Sequence, residues 1–78
     1  MPHVVVKLYS GRSEQQKTRL AEEVTKAVNT ALSCGEDAIS IAVEDVQPED
    51  WTKKVYETDI MTSRDKLYKK PGYGALAK

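Results

Sequence analysis

Sulfur and imidazole are scarce in this 78-residue sequence, which has one cysteine, Cys34, and one histidine, His3. A single thiol cannot close a disulfide within the chain. One Cys and one His without ligand spacing offer a metal ion too few donors, so no metal centre is expected. A surplus of either charge is also missing: 12 basic residues face 12 acidic ones. The balance holds within residues 1–39 and again within residues 40–78. Nucleic acid is therefore a poor partner, and the pairs Lys53-Lys54 and Lys69-Lys70 read as solvated faces. No apolar run is long enough for a secretory h-region or a membrane span. A free thiol without an export segment points to a reducing cytoplasm. The length allows at most one domain, assigned to residues 1–78. A domain this small is marginal alone, and with disulfide and metal set aside, self-association is the remaining source of stability.

What is present has a clear order. The stretch "HVVVKLYS" is rich in β-branched residues and predicts a strand from His3 to about Tyr9. Val4, Val6 and Leu8 share one face, and Val5, Lys7 and Tyr9 the other. Both faces are largely apolar, which predicts cover on both sides. Gly11 gives the following turn its backbone freedom. Ser13 with Gln16 three residues on fits a capping box. A helix then runs through "EQQKTRLAEEVTKAVNTALS", with Leu20, Val24, Ala27, Val28, Ala31 and Leu32 as one stripe at helical period. Gly35 is the expected stop.

A second strand is predicted from about Ala38 to Val46, with Ile39, Ile41 and Val43 on one face and Ala38, Ser40 and Ala42 on the other. Strand, helix, strand is a βαβ unit of an α/β (α+β) fold, with parallel strands and a right-handed crossover. Beyond it, Pro48, Glu49 and Asp50 suit a helix start. Two short helices with a break near residues 61–63 are expected, followed by a Pro-Gly turn and a tail. Two strands alone do not hold together in water. The expected remedy is a homodimer with a four-stranded sheet, or a higher assembly of dimers.

Most constellations that carry chemistry are missing. No phosphate-cradling glycine motif and no Cys/His pair with an orienting group occurs. His3 on its strand reads as structural, and Cys34 beside Gly35 as an inert thiol. Pro2 differs in kind. Removal of Met1 would leave its nitrogen as a free secondary amine held in a rigid ring. Desolvation disfavours the charged form of an amine, and lowering its pKa by about two units takes roughly 2.7 kcal/mol of environment. Such an amine is a general base poised near neutral pH.

Pro2, then "GRSEQQK", then the strand "SIAVEDV", in that order, resemble the 4-oxalocrotonate tautomerase family. "QPEDW" and "KKPGY" are similar to the branch of small dimeric tautomerases active on phenylpyruvate-type enols. The resemblance implies a βαβ unit, a catalytic amino-terminal proline and cofactor-free proton transfer between enol and keto forms of small 2-oxo acids. It gives Pro2 the acid–base role and Arg12 the substrate carboxylate, in many members from a neighbouring subunit. A guanidinium meets a carboxylate bidentately, which suits that role.

Trp51 stands where the prototype has an aromatic pocket wall, which would keep water from the amine. Ser40 stands where the hexameric prototype has a second arginine. The 2-oxygen must then be polarised by Ser40, a backbone N–H or water, which favours mono-acid enols over diacids. The alternative is a non-catalytic dimeric binding or regulatory module on the same fold. Lyase chemistry on the same proline is a more distant one. For the enzyme, intact-mass analysis of protein isolated from cells is expected to find the chain lighter by one methionine. Full retention of Met1 would favour the binding module.

Overall fold

In the computed structural model, residues 1–77 are described. They fall into two compact units, Met1–Pro48 and Glu49–Lys78. The first holds β1 (His3–Tyr9), α1 (Glu14–Leu32) and β2 (Ser40–Val46). The two strands pair in parallel, His3 opposite Ser40 through Tyr9 opposite Val46. The pairing opens with Ser40 N–H donating to the Pro2 carbonyl at 3.2 Å and closes with Ser10 N–H donating to the Val46 carbonyl at 3.0 Å. The expected βαβ unit is therefore present.

Its helix starts where the sequence places it. Gln16 N–H donates to Ser13 Oγ at 3.1 Å, and Ser13 N–H donates to Gln16 Oε1 at 3.0 Å. Two of the four orphan donors of the first turn are thereby satisfied. The helix end differs from expectation. Ser33, not Gly35, takes the left-handed conformation that stops α1, at φ 53. Asn29 Oδ1 accepts from Gly35 N–H at 2.9 Å, so a side chain one turn back holds the exit. Residues Glu36–Ala38 then form a 3-10 turn, with Ala38 N–H bonded to the Gly35 carbonyl and Ile39 N–H to that of Glu36. These turn bonds occupy the donors that a ladder would need, so β2 begins at Ser40 rather than Ala38.

Lys17 marks which sheet face the helix covers. Its ammonium lies 3.0 Å from Asp45 Oδ2 on β2 and 3.2 Å from Glu14. Aligned residues of a parallel pair share a face, so α1 lies on the side of Val4, Val6, Leu8, Ile41, Val43 and Asp45. Along α1 the half-buried positions are Lys17, Leu20, Ala21, Val24, Thr25, Val28 and Asn29, a stripe at helical spacing. Ala27, Ala31 and Leu32, expected in the stripe, stay exposed, with Leu32 at 61 %. The opposite sheet face alternates Val5, Tyr9, Ala42 and Val46 with His3, Lys7, Ser40 and Glu44. Val5 and Tyr9 keep 46 % and 53 % of their surface exposed. Of the cover expected on both faces of β1, the helix of this unit supplies one face.

The second unit opens with a 3-10 turn, Pro48–Asp50, and a π-helix, Thr52–Met61. The first of the two expected short helices is thus present, wound as a π-helix. The wider winding closes bonds five residues apart, and Thr58 Oγ1 follows it by donating to the Lys53 carbonyl at 2.6 Å. Val55 and Tyr56 on this element are the buried apolar residues among those described, at 5 % and 9 % exposure. The helix breaks at 62–63, as expected, and the expected second helix is reduced to one 3-10 turn, Arg64–Lys66. A last turn spans Ala75–Ala77. No helix among the described residues is long and apolar enough to cross a membrane.

The hydrogen bond to Asp45, then that to Glu14, raise the pKa of Lys17 above its ordinary 10.5. The folded chain therefore holds this proton more tightly than the unfolded one. That contribution to stability is complete below the unfolded value and is lost as pH rises through the higher folded one. Urea unfolding of Lys17→Met is expected to be less pH-dependent than wild type above about pH 10. Identical alkaline slopes would assign the loss to other groups.

Candidate active site

Pro2 lies at the head of β1, half-buried, with its carbonyl tied to β2 through Ser40 N–H. Met1, next to it, is 99 % exposed. Ser40 begins β2 directly beside this point. Its Oγ lies 2.6 Å from His3 Nδ1, because register places the two residues opposite each other on one sheet face. Farther along the same face Lys7 and Glu44 pair at 4.0 Å. Pro2, His3 and Ser40 are thus brought together.

Arg12 is not part of that group. It sits, exposed, in the turn between β1 and α1, at the other end of the strand. A strand of seven residues separates it from Pro2 by roughly 20 Å at about 3.3 Å per residue. No rotamer of an arginine spans that gap. One chain therefore cannot bring Arg12 and its own Pro2 to the same small molecule.

Trp51, in the second unit, is the cap residue just before the π-helix and is half-buried. Its Nε1–H donates to the Tyr73 hydroxyl at 2.9 Å. The Tyr73 ring lies 5.4 Å from that of Tyr56, tilted by 56°. Tyr56 donates its hydroxyl to the Tyr73 carbonyl at 3.1 Å and accepts from Leu76 N–H at 3.0 Å. The tail is thereby clasped to the helix, and the indole orientation is set by Tyr73. Gly74, at φ 72, is needed here: a Cβ would lie 2.7 Å from Tyr56 Cε2. Neither Tyr73 nor His3 had been singled out as a site residue from the sequence. Each acts through a partner distant in the chain, and periodicity carries no signal for such a pair. Among the described residues no group of three or more His, Cys, Asp or Glu could hold a metal ion.

The family described as "Tautomerase enzyme" matches residues 2–55, starting at the proline. The chain belongs to the tautomerase family. A "Probable tautomerase" of Xylella fastidiosa is 44% identical over 77 residues, 99% of this chain and 94% of that protein. "Tautomerase PptA" of Cronobacter sakazakii is 39% identical over 74 residues, 94% of this chain and 97% of that one. Among solved structures, TomN, a 4-oxalocrotonate tautomerase homologue from the tomaymycin biosynthetic pathway, is 31% identical with a TM-score of 0.63. That likeness covers 82% of this chain and 95% of TomN. As a tautomerase-family member this protein is an isomerase, which decides between the enzyme and the non-catalytic module. The βαβ unit described above is the fold it shares with these relatives.

Gly74→Ala combines left-handed backbone strain with overlap on a buried ring. It is expected to lower stability by about 1–3 kcal/mol, read by urea unfolding with the fluorescence of Trp51, the only tryptophan. Wild-type stability would mean that the tail clasp is not held.

Proposed function

We propose that residues 1–78 act as one functional domain, a cofactor-free keto–enol tautomerase of small 2-oxo acids such as phenylpyruvate, with Pro2 as the acid–base group. The observation that carries this reading is the position of Pro2. It heads the parallel strand pair beside Ser40, half-buried, with an exposed Met1 next to it. Loss of Met1 turns its amide nitrogen into a secondary amine with a lone pair.

The proton accounting is closed. The amine takes the enol hydroxyl proton, and the electron pair of that O–H bond becomes the carbonyl. The π pair of the carbon–carbon double bond then takes the proton back from nitrogen. The amine ends as it began, so no oxidant, metal or cofactor enters. Arg12 holds the substrate carboxylate, Trp51 shields the substrate from water, and Ser40 contacts the 2-oxygen. Serine in place of a second cation suits a mono-acid, since there is one carboxylate to bind.

Arg12 must come from a second copy, because the strand separates it from its own Pro2. A homodimer with a shared four-stranded sheet, or a higher assembly of dimers, also accounts for the exposed Val5 and Tyr9 and for the thin core. The reducing cytoplasm is the compartment that suits the exposed free thiol of Cys34.

Ultraviolet decay of phenylenolpyruvate on Met-trimmed protein tests this reading. Pro2→Ala, with its new terminal amine blocked by acetylation, is expected to lower kcat/KM by ~10²-fold or more. Arg12→Ala is expected mainly to raise KM. Co-refolding the two variants is expected to restore part of the activity, since a mixed oligomer holds one site with both residues intact. No recovery on mixing would place Arg12 outside the shared site, and an active Pro2→Ala would remove the central role.

A further inference from the structure

The residue beside the proposed base has a partner that the reaction so far leaves unused. His3 and Ser40 face each other in register, and their side chains meet at 2.6 Å, a short hydrogen-bond contact. Both are exposed on the sheet face away from α1. An exposed pair of this kind adds little to stability, since water offers the same partners. It is open to a ligand, and its main-chain neighbour is Pro2, whose carbonyl accepts from Ser40 N–H.

The geometry points to His3 as a positioning residue that aims the Ser40 hydroxyl at the 2-oxygen of the substrate. The inference rests on the reading of Pro2 as the acid–base group. A hydroxyl has one proton, and the direction in which it points decides its use. Were the imidazole to accept that proton, Ser40 would offer the substrate only lone pairs. With the imidazole proton on Nδ1, His3 donates to Oγ, and the Ser40 proton is left to donate outward. Charge gathers on the 2-oxygen while its proton is on Pro2 and the carbon has not yet been protonated. A donor fixed at that oxygen stabilises the transition state more than the ground state. Donation into Oγ by His3 also polarises the hydroxyl, making it a better donor. The pair supplies through two hydrogen bonds the polarisation that a cationic side chain at position 40 would give.

The test compares His3→Ala, His3→Asn, His3→Gln, Ser40→Ala and the double Ala variant with Met-trimmed wild type and Pro2→Ala. All act on phenylenolpyruvate, with Met1 removal checked by mass in each. His3→Ala and Ser40→Ala are each expected to lower kcat by about 10–100-fold, with KM changed less than about twofold and the thermal midpoint unmoved. The double variant is expected to be no slower than Ser40→Ala alone, because His3 acts through Ser40. His3→Asn places an amide N–H where Nδ1 stood and should recover most of the rate. His3→Gln extends its amide past that position and should not. Wild-type kcat in His3→Ala, additive losses in the double variant, or no recovery in His3→Asn would each overturn the inference while leaving Pro2 in its role. Acetylated Pro2→Ala as fast as wild type would instead overturn the reading of Pro2 itself, and the inference with it.

Discussion

The parallel register of β1 and β2 is the constraint on which the rest of this structure depends. Successive side chains of a strand alternate between faces, so a slip of one residue would move Ser40 from the exposed face to the helix side. His3 would then face no hydroxyl, and Asp45 would leave Lys17. The register is held at both ends, by Ser40 N–H on the Pro2 carbonyl and by Ser10 N–H on that of Val46. Between those ends the chain must return to the start of the sheet, as any parallel pair requires. Nineteen residues of α1 provide that return. The capping box sets where it begins, and the ion pair from Lys17 to Asp45 marks which face its apolar stripe covers.

The same register divides the chemistry. It gathers Pro2, His3 and Ser40 at one end of the sheet and leaves Arg12 at the other. A carboxylate-binding arginine and an amine base cannot then serve one small substrate within one chain. The proposed second copy answers this and a separate shortage together. Val55 and Tyr56 are the buried apolar residues among those described, while Val5 and Tyr9 stay half in water on the uncovered face. Assembly would convert that exposed area into core and complete the site in the same step.

Much of the first unit was legible in the sequence. Val4, Val6 and Leu8 alternate as a strand must, and Leu20, Val24 and Val28 recur at helical period. Ser13 and Gln16 carry the start signal of α1 in their own chemistry. The errors fall where side chains act on distant backbone. Asn29 reaches Gly35 and moves the helix end to Ser33, and the turn through Ala38 delays β2. The π-winding of Thr52–Met61 leaves little trace in composition, since a one-residue change of bonding alters no residue type. Pro2 carried its meaning only through the family pattern. The His3–Ser40 contact depends on a register formed across 37 residues, and Trp51 finds Tyr73 across 22. Such pairings become visible only once the strands and the tail are placed.

The protonation state of one ring nitrogen tests the proposed chemistry most directly. Titration of Pro2 by nitrogen-15 NMR, on labelled protein lacking Met1, reads that state without reference to any substrate. A transition near neutrality, below the range of an exposed secondary amine, is the expected result. An amine that stays fully protonated well above pH 8 would contradict a Pro2 base.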